Sequence, residues 1–376
     1  MKQFESGMWL SRRGYRSFTP SRINRPWKFD QPRIFEALSR ADRQLGRLDM
    51  FSEYVPNLDL FIQMHVTKEA TESSRIEDTC TEMEEAVLPE EDVSEERRDD
   101  WREVNNYITA MGDAIEALHQ LPFSNRLIKQ AHATLMSGAR GEHKTPGEFR
   151  TSQNWIGGSN PGNARFVPPT PEEVPELMGD LETFAHNTEI HLPPLLKVAI
   201  MHYQFETIHP FLDGNGRIGR LMVPLYLVSQ EILKQPVLYL SDYLERHRSE
   251  YYDRLTRVRE QNAMDDWLIF FLDGLAETAK SGVETFNRIL QFQNHWEREI
   301  QNWPAQTTAG ITLFRHLFKQ PAINAKEVAE AAGISPPTAY KLIERFVRHG
   351  LLEEITGAKR GRLFIFRAYL RLFQRA

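Results

Sequence analysis

HPFLDGNGRIGR, residues 209–220, places one histidine, one aspartate and two arginines around three glycines and an asparagine. The Gly214-Asn215-Gly216 run can adopt backbone angles closed to most residues, turning successive N–H groups toward one point. A helix is predicted to begin immediately afterwards, and its positive N-terminal end adds to that anion site. Arg217 and Arg220 are three apart, on one helical face, where their guanidiniums can clamp phosphate oxygens. Asp213 can hold a Mg2+ that bridges two phosphates, and His209 is placed to take a proton from an incoming hydroxyl. Together these parts suit attack on a nucleotide phosphate. A lone Gly-x-Gly or a lone His-Pro would carry little weight; the combination carries more. His202 and His209, seven apart, make a poor metal pair, because neither HExxH nor a third ligand spacing accompanies them. No GxxxxGK[ST] occurs, so a P-loop ATPase is unsupported.

The chain is long enough, at 376 residues, for two or three domains. Hydrophobic residues at 41% and charged residues at 26% are ordinary for a soluble protein. No apolar run approaches the ~20 residues that span a bilayer, and the start, MKQFESGMWLSRRGYRSF, lacks the apolar core of a signal peptide. A cytoplasmic protein with no membrane partner is expected. Cys80, the single cysteine, excludes an intramolecular disulfide or a cysteine metal cluster. Net charge is −6, but Ala305–Ala376 carries 12 Lys and Arg against 5 Asp and Glu, leaving +7 there and −13 elsewhere. A basic appendage on an acidic body can meet nucleic acid; a solvated basic face with no ligand has the same count.

Outward from the motif, the pattern is mostly helical. Residues 1–25 read as an extended basic and aromatic arm broken by Pro20 and Pro26. Ile34, Leu38, Leu45 and Leu48 predict an amphipathic helix over 32–48, and residues 58–88 predict one or two helices ending near Pro89. Further helices are predicted over 99–121, 124–136 with Ser124 as N-cap, 171–186 and 194–207. An apolar run over 218–233 and helices over 243–260 and 265–300 follow. The glycine- and proline-rich stretch GEFRTSQNWIGGSNPGNARFVPPTP interrupts them as a hairpin or loose flap.

The tail has a different pattern. A helix over 311–318 precedes AKEVAEAAGISPPTAYKLIERFVRHGLL, which reads as a short helix, a turn at Gly333 and a second helix over 336–349. LLEEITGAKRGRLFIF then reads as two strands joined by a basic turn, completing a winged helix-turn-helix. Its second helix would offer Thr338, Tyr340, Lys341 and Arg345 to a major groove, and Lys359, Arg360 and Arg362 would lie on a wing near phosphates. Winged helices also serve as protein-interaction modules, so both uses stay open.

The quoted stretch resembles the Fic (Fido) signature HPFx[DE]GNGRxxR at every defined position, and the resemblance extends over about residues 15–300. It implies a mostly helical core with a small β-hairpin flap, and transfer of AMP from ATP to a hydroxyl of a target protein. With the tail added, the expected fold class is mostly α: an N-terminal helical region (1–98), a catalytic core (99–300) and a C-terminal winged helix-turn-helix domain (305–376). Carried over, His209 would be the general base for a Ser, Thr or Tyr hydroxyl, Phe211 a core anchor and Asp213 the Mg2+ ligand. Gly214, Asn215, Gly216 and Arg217 would bind the α- and β-phosphates and Arg220 the γ-phosphate, with Ile218 and Gly219 completing the nucleotide site. Gly214 and Gly219 favour nucleotide transfer over phosphorylation, whereas Pro224 inside the following helix is unexpected. Ile156, Gly157 and Gly158 of the flap would line the site, and the flap could pair with an extended target segment as an added strand. SDYLERHRSEYYDRL resembles the helix that closes the adenine pocket, with Tyr251 and Tyr252 as contacts or, alternatively, as core.

Relatives with an inhibitory helix before the core carry [ST]xxxE[GN], and Ser73-Ser74-Arg75-Ile76-Glu77 fits the first five positions, with Asp78 departing at the sixth. The resemblance implies that Glu77 forms a bidentate pair with Arg220, denies it to the γ-phosphate and holds the enzyme off. Glu77 is also one of 15 acids against 5 bases between Thr67 and Glu103, a pattern that by itself says only that a helix is solvated. The same glutamate could instead align water for removal of AMP. The leading expectation is therefore an autoinhibited, Mg2+-dependent protein adenylyltransferase acting on an unknown target or on itself. A DNA-binding regulator whose core senses a nucleotide is the alternative, and UTP, GTP or a phosphocholine nucleotide could replace ATP. Whether the protein forms a homodimer stays open.

Overall fold

The computed structural model describes residues 4–54, 58–138, 143–357 and 361–374. The first correction lies at the N-terminus. In place of an extended arm, β1 (Gly7–Arg12) and β2 (Tyr15–Pro20) form an antiparallel hairpin with Gly7 opposite Pro20 and Arg12 opposite Tyr15. Gly14, at φ 86°, supplies the left-handed turn that a side chain would resist. The Phe18 N–H donates to Val167 O at 2.9 Å, and the rings of Trp9 and Phe18 pack on Phe166. The hairpin is thus ordered by the flap, about 150 residues later in sequence, which local reading could not supply.

Helix α1 (Pro32–Tyr54) buries Ile34, Ala37, Leu38, Ala41, Leu45 and Leu48, the three-and-four spacing of an amphipathic stripe. The predicted acidic segment divides into α2 (Leu58–Ile76) and the single turn α3 (Met83–Ala86), followed by α4 (Arg98–Ala117). Ser124 caps α5 (Asn125–Leu135), its Oγ accepting the Leu127 N–H at 3.4 Å. After the flap come α6 (Val174–His186), α7 (Pro194–Ile208) and α8 (Asn215–Ser229). Every residue of α7 from Leu195 to Ile208 is buried, so α7 is the central helix, with α8 packed against it. Pro224 lies within α8, which continues past it to Ser229. The next predicted helix is two, α9 (Ser241–Arg246) and α10 (Arg248–Gln261), and α11 (Met264–Gln301) then runs along α1.

In the tail, α12 (Thr307–Leu317), β3 (Ala322–Asn324), α13 (Ala325–Ala332), α14 (Pro336–Arg348), β4 (Glu353–Glu354) and β5 (Leu363–Ile365) give a winged helix with sheet order β3-β5-β4. Asn324 and Glu327 form a reciprocal capping box on α13, and Gly333 ends that helix at φ 62°. The last elements, α15 (Arg367–Leu370) and a 3-10 turn at Arg371–Phe373, fold back onto α2 and α11. Lys359 and Arg360, expected on the wing, lie outside the described residues.

Helix α2 is held by a buried acid. The Glu69 carboxyl accepts from Ser241 N–H at 3.0 Å, Ser241 Oγ at 2.5 Å and the Tyr107 hydroxyl at 3.2 Å. Burial raises its pKa from 4.5 to about 7. The folded state therefore keeps a proton that the unfolded chain releases, and this group lowers stability as pH rises from 4.5 toward about 7. Glu69→Gln should show a shallower fall in Tm across that window than wild type, measured at a series of pH values. Parallel slopes would mean that Glu69 stays charged throughout.

Candidate active site

The motif loop is built by interrupting two buried helices. His209 caps α7 in the left-handed region, φ 51°, and Pro210 has no N–H with which to continue the helix. Gly214 opens α8 at φ 72°, and a Cβ there would meet Met136 Sδ at 2.9 Å. Between them Asn215 acts as a clamp: its Oδ1 accepts the Phe211 N–H at 2.8 Å and its Nδ2 donates to Phe211 O at 2.9 Å. The Asn215 side chain is thereby engaged with the loop backbone, and the residue is the first of α8. Phe211 is fully buried and stacks on His132 at 3.7 Å, as a loop anchor should.

Three residues that sequence reading did not single out fasten this loop. Arg150, at the base of the flap, is 2% exposed and donates to backbone carbonyls rather than to a carboxylate: His209 O at 2.9 Å, Pro169 O at 2.5 Å, and Ser152 O and Ile208 O at 3.3 Å. Burial lowers its pKa to about 10, so it remains a cation at neutral pH. Asn154 adds bonds to His209 O at 3.2 Å and Phe211 O at 2.8 Å. His132 accepts the Gly147 N–H on Nδ1 at 2.8 Å, which leaves Nε2–H to donate to Asp213 O at 3.0 Å. Burial holds that imidazole near 4, neutral as this bonding requires. The only local signal was an arginine and an asparagine beside a turn-rich stretch.

His209 has its pKa lowered to about 4, chiefly by burial and then by Arg150, against which the Glu77 charge and the Glu206 carbonyl act. It is therefore neutral at pH 7, the form a base must have. Asp213 projects from the loop with its side chain 49% exposed, accepting the Gly214 N–H at 2.7 Å. Mg2+ is commonly held by one or two carboxylates together with substrate phosphates, so a single exposed carboxylate fits that ion. Among the described residues no group of three or more His, Cys, Asp or Glu could hold a metal without a ligand's help.

The first turn of α8 faces α2. A Cβ on Gly216 would fall 2.1 Å from Glu77 Oε1, so the Glu77 carboxylate rests on the helix N-terminus that was read as an anion site. Arg220, 1% exposed, donates from Nη2 to Glu77 Oε1 at 2.8 Å and to Ser73 O at 2.9 Å, and from Nε to Ser73 Oγ at 2.8 Å. The pair is thus monodentate rather than bidentate, with Ser73 taking Nε–H and a second N–H of Nη2. Burial alone would raise the Glu77 pKa, but Arg220 outweighs it and the carboxyl lies below its usual range. Asp78 adopts φ 66°, a left-handed position suited to glycine or asparagine, and its carboxylate pairs with Arg248 at 2.7 Å. The departure from the family pattern is therefore accommodated by an aspartate in a tolerated conformation. Arg217 is turned to Glu103 at 3.1 Å, with Asp213 3.9 Å away.

Several expected nucleotide contacts are placed otherwise. Ile218 is in the core and offers the site no side chain. Gly219 is a packing glycine: a Cβ would lie 2.2 Å from Glu206 Oε1, while its carbonyl accepts from His202 Nδ1–H at 2.9 Å. His202 Nε2 then accepts the Tyr251 hydroxyl at 2.9 Å, so the buried Tyr251 is tied into the core as a structural partner. Tyr252 is half-buried beside Arg248. The flap is a hairpin with a single bridge, Ile156 to Phe166, and Gly157 and Gly158 expose their turn at φ 69° and 73°. Glu206 is a further buried acid that sequence reading missed; its Oε1 has no hydrogen-bond partner among the described residues, and burial raises its pKa to about 7.

Because Arg150 satisfies several carbonyls at once, Arg150→Met should destabilise the protein by about 3 kcal/mol or more, read from urea unfolding. Arg150→Lys should recover little, since an ammonium cannot reproduce the planar fork.

Residues 35–116 match the N-terminal region of the Fic/DOC family and residues 122–227 the Fic/DOC family itself, together half of the chain; residues 310–355 match an IclR helix-turn-helix domain. A protein adenylyltransferase Fic of Aedes aegypti is 36% identical over 115 residues, 30% of this chain and 20% of that protein. The protein adenylyltransferase fic-1 of Caenorhabditis elegans is 35% identical over 83 residues, 22% of this chain and 15% of that protein. The matched stretches thus span about a fifth or less of these relatives' length. A crystal structure of a Fic family protein from Desulfovibrio desulfuricans shares the fold with a TM-score of 0.56 at 21% identity, covering 91% of this chain and 98% of that one. Fic-1 from Caenorhabditis elegans superposes with a TM-score of 0.51 at 18% identity, covering 69% and 75% respectively. With the full signature at 209–220 and the two matched regions in register on a Fic fold, the chain belongs to the Fic/DOC family.

Proposed function

We propose that the protein transfers AMP from ATP to a Ser, Thr or Tyr hydroxyl of a target protein or of itself, and that Glu77 restrains the reaction. The observation that carries this reading is the Glu77 carboxylate resting on Gly216 and bonded to Arg220, an anion in an anion site. In the active arrangement triphosphate oxygens would take its place on the first turn of α8 and on Arg220. Mg2+, held by Asp213 and the phosphates, would neutralise charge on the leaving group. The hydroxyl oxygen forms a bond to the α-phosphorus, the bond from that phosphorus to the bridging oxygen breaks, pyrophosphate leaves and the proton passes to His209. The negative charge of the bound nucleotide raises the His209 pKa from its low free value, making it a better acceptor when needed.

The test is incubation with Mg2+ and α-labelled ATP, with and without cell extract. Glu77→Gly should label protein strongly and wild type weakly, whereas Glu77→Gly/His209→Ala should lose label by about 10²-fold or more. No transfer from folded, ATP-binding Glu77→Gly, with UTP and GTP also inert, would overturn the reading.

A second reading is supported by the helix-turn-helix match and the +7 tail. The exposed side of α14 carries Tyr340, Lys341 and Arg348. Arg345 is turned away, donating to Ala305 O at 2.6 Å and lying over the Trp303 ring. Binding of the domain to DNA phosphates would bring the enzyme to a chromosomal target. Duplex affinity should then fall about 10-fold or more between roughly 50 and 200 mM salt, and Lys341→Glu should weaken it; no binding at low salt would leave the domain a protein-interaction module.

A further inference from the structure

Helix α2 reaches from the candidate active site to the winged helix. At its C-terminal end it presents Ser73 and, one residue past it, Glu77 to Arg220. Five residues before Ser73, about 7.5 Å along the axis, Lys68 Nζ donates to Phe373 O at 3.1 Å and pairs with Asp242 at 3.2 Å. His65, one turn earlier, stacks on Phe286 at 4.5 Å and takes the edge of the Phe373 ring at 4.9 Å. Arg288 of α11 fixes the same turn through Leu372 O at 2.9 Å. On the other side of Glu77, Glu84 of α3 receives Arg367 of α15 at 2.9–3.1 Å, and Arg367 also pairs with Glu353 of β4. The C-terminal domain therefore grips the inhibitory segment before and after Glu77. A cavity of about 40 Å³ lies at this contact, with His65, Lys68, Glu72, Asp242 and Phe373 in its wall.

These contacts are more than a domain needs to complete its own core. The winged helix closes its interior with Leu342, Phe346, Phe364 and Phe366; Phe373 and Arg367 have partners within the domain, Tyr369 and Glu353, and reach α2 and α3 as well. Glu77 itself follows the last residue of α2 and is held there by turn bonds, Glu77 N–H to Ser74 O at 2.9 Å and Thr79 N–H to Ser74 O at 3.1 Å. Its position on Gly216 thus depends on where α2 and α3 are held.

We propose that the winged-helix domain sets the strength of the Glu77 restraint: Phe373 and Arg367 clamp α2 and α3 in the position that keeps Glu77 on Arg220, and a macromolecular partner that draws the domain off α2 activates the enzyme. This rests on the reading that Glu77 is inhibitory. Any such partner acts only by preferring the loosened arrangement, so its effect equals its difference in affinity between the two.

Phe373→Ala and Arg367→Glu should be prepared in the full chain, each alone and combined with Glu77→Gly. Arg367→Glu alters a partly exposed pair and spares the core, which keeps the test decisive if Phe373→Ala folds poorly. Each should raise transfer of label from ATP by about fivefold or more over wild type, and neither should raise it further in Glu77→Gly. Glu84→Arg added to Arg367→Glu should return activity toward wild type. Transfer unchanged by Arg367→Glu and Phe373→Ala, with Glu77→Gly active, overturns the coupling. If Glu77→Gly is itself inert, the adenylylation reading has failed, and hydrogen exchange decides the coupling alone. Faster exchange of the α2 amides in Arg367→Glu supports the clamp, and unchanged exchange overturns it.

Discussion

The Arg220 guanidinium is the constraint around which the rest of the site is arranged. It lies on the inner face of α8, 1% exposed, where an unpaired cation would be prohibitively costly. Burial alone would lower its pKa, but the Glu77 carboxylate above all offsets that and holds the charge in place. A buried cation needs acceptors that compensate it, and for Arg220 the charged one is Glu77. In the proposed mechanism Glu77 leaves as another anion takes its place or as α2 carries it away, so the proposed restraint and the proposed nucleotide contact would share one guanidinium. Ser73 is bonded to Arg220 through its hydroxyl and its carbonyl, which orients the fork beside Glu77.

The loop holding His209 is governed by a different economy of contacts. A left-handed histidine before a proline exposes carbonyls that no helix can satisfy. Arg150 and Asn154 supply those donors from the base of the flap, and His132 supplies another from α5. The flap is thereby fastened to the loop it covers, and the N-terminal hairpin is fastened to the flap through Phe18 and Val167. Residues widely separated in sequence determine where one imidazole stands.

Two neighbouring histidines show how environment assigns roles. His202 and His209 are both held near pKa 4 by burial. His202 has both ring nitrogens engaged, by Gly219 O and the Tyr251 hydroxyl, and is structural. His209 Nδ1 has no hydrogen-bond partner among the described residues, so the two rings differ in how the fold engages them.

What the sequence determined by itself was whatever depends on short-range pattern. The helices expected over 32–48, 99–121 and 265–300, which the structure places at 32–54, 98–117 and 264–301, the Ser124 cap and the family signature at 209–220 all have their causes within a few residues. Tertiary structure decided everything that depends on which distant group comes near. It ordered the N-terminal hairpin, sent the Asn215 side chain and the Tyr251 hydroxyl to structural duties, made Gly219 a packing residue and brought Arg150 to four carbonyls. It also separated Glu77 from the other acids of the same stretch, because Glu77, one residue past α2, meets the buried Arg220 on the first turn of α8. A charge pattern records how many acids there are; the energy of one of them depends on solvent exclusion and on the partner it meets, and both are properties of the folded chain.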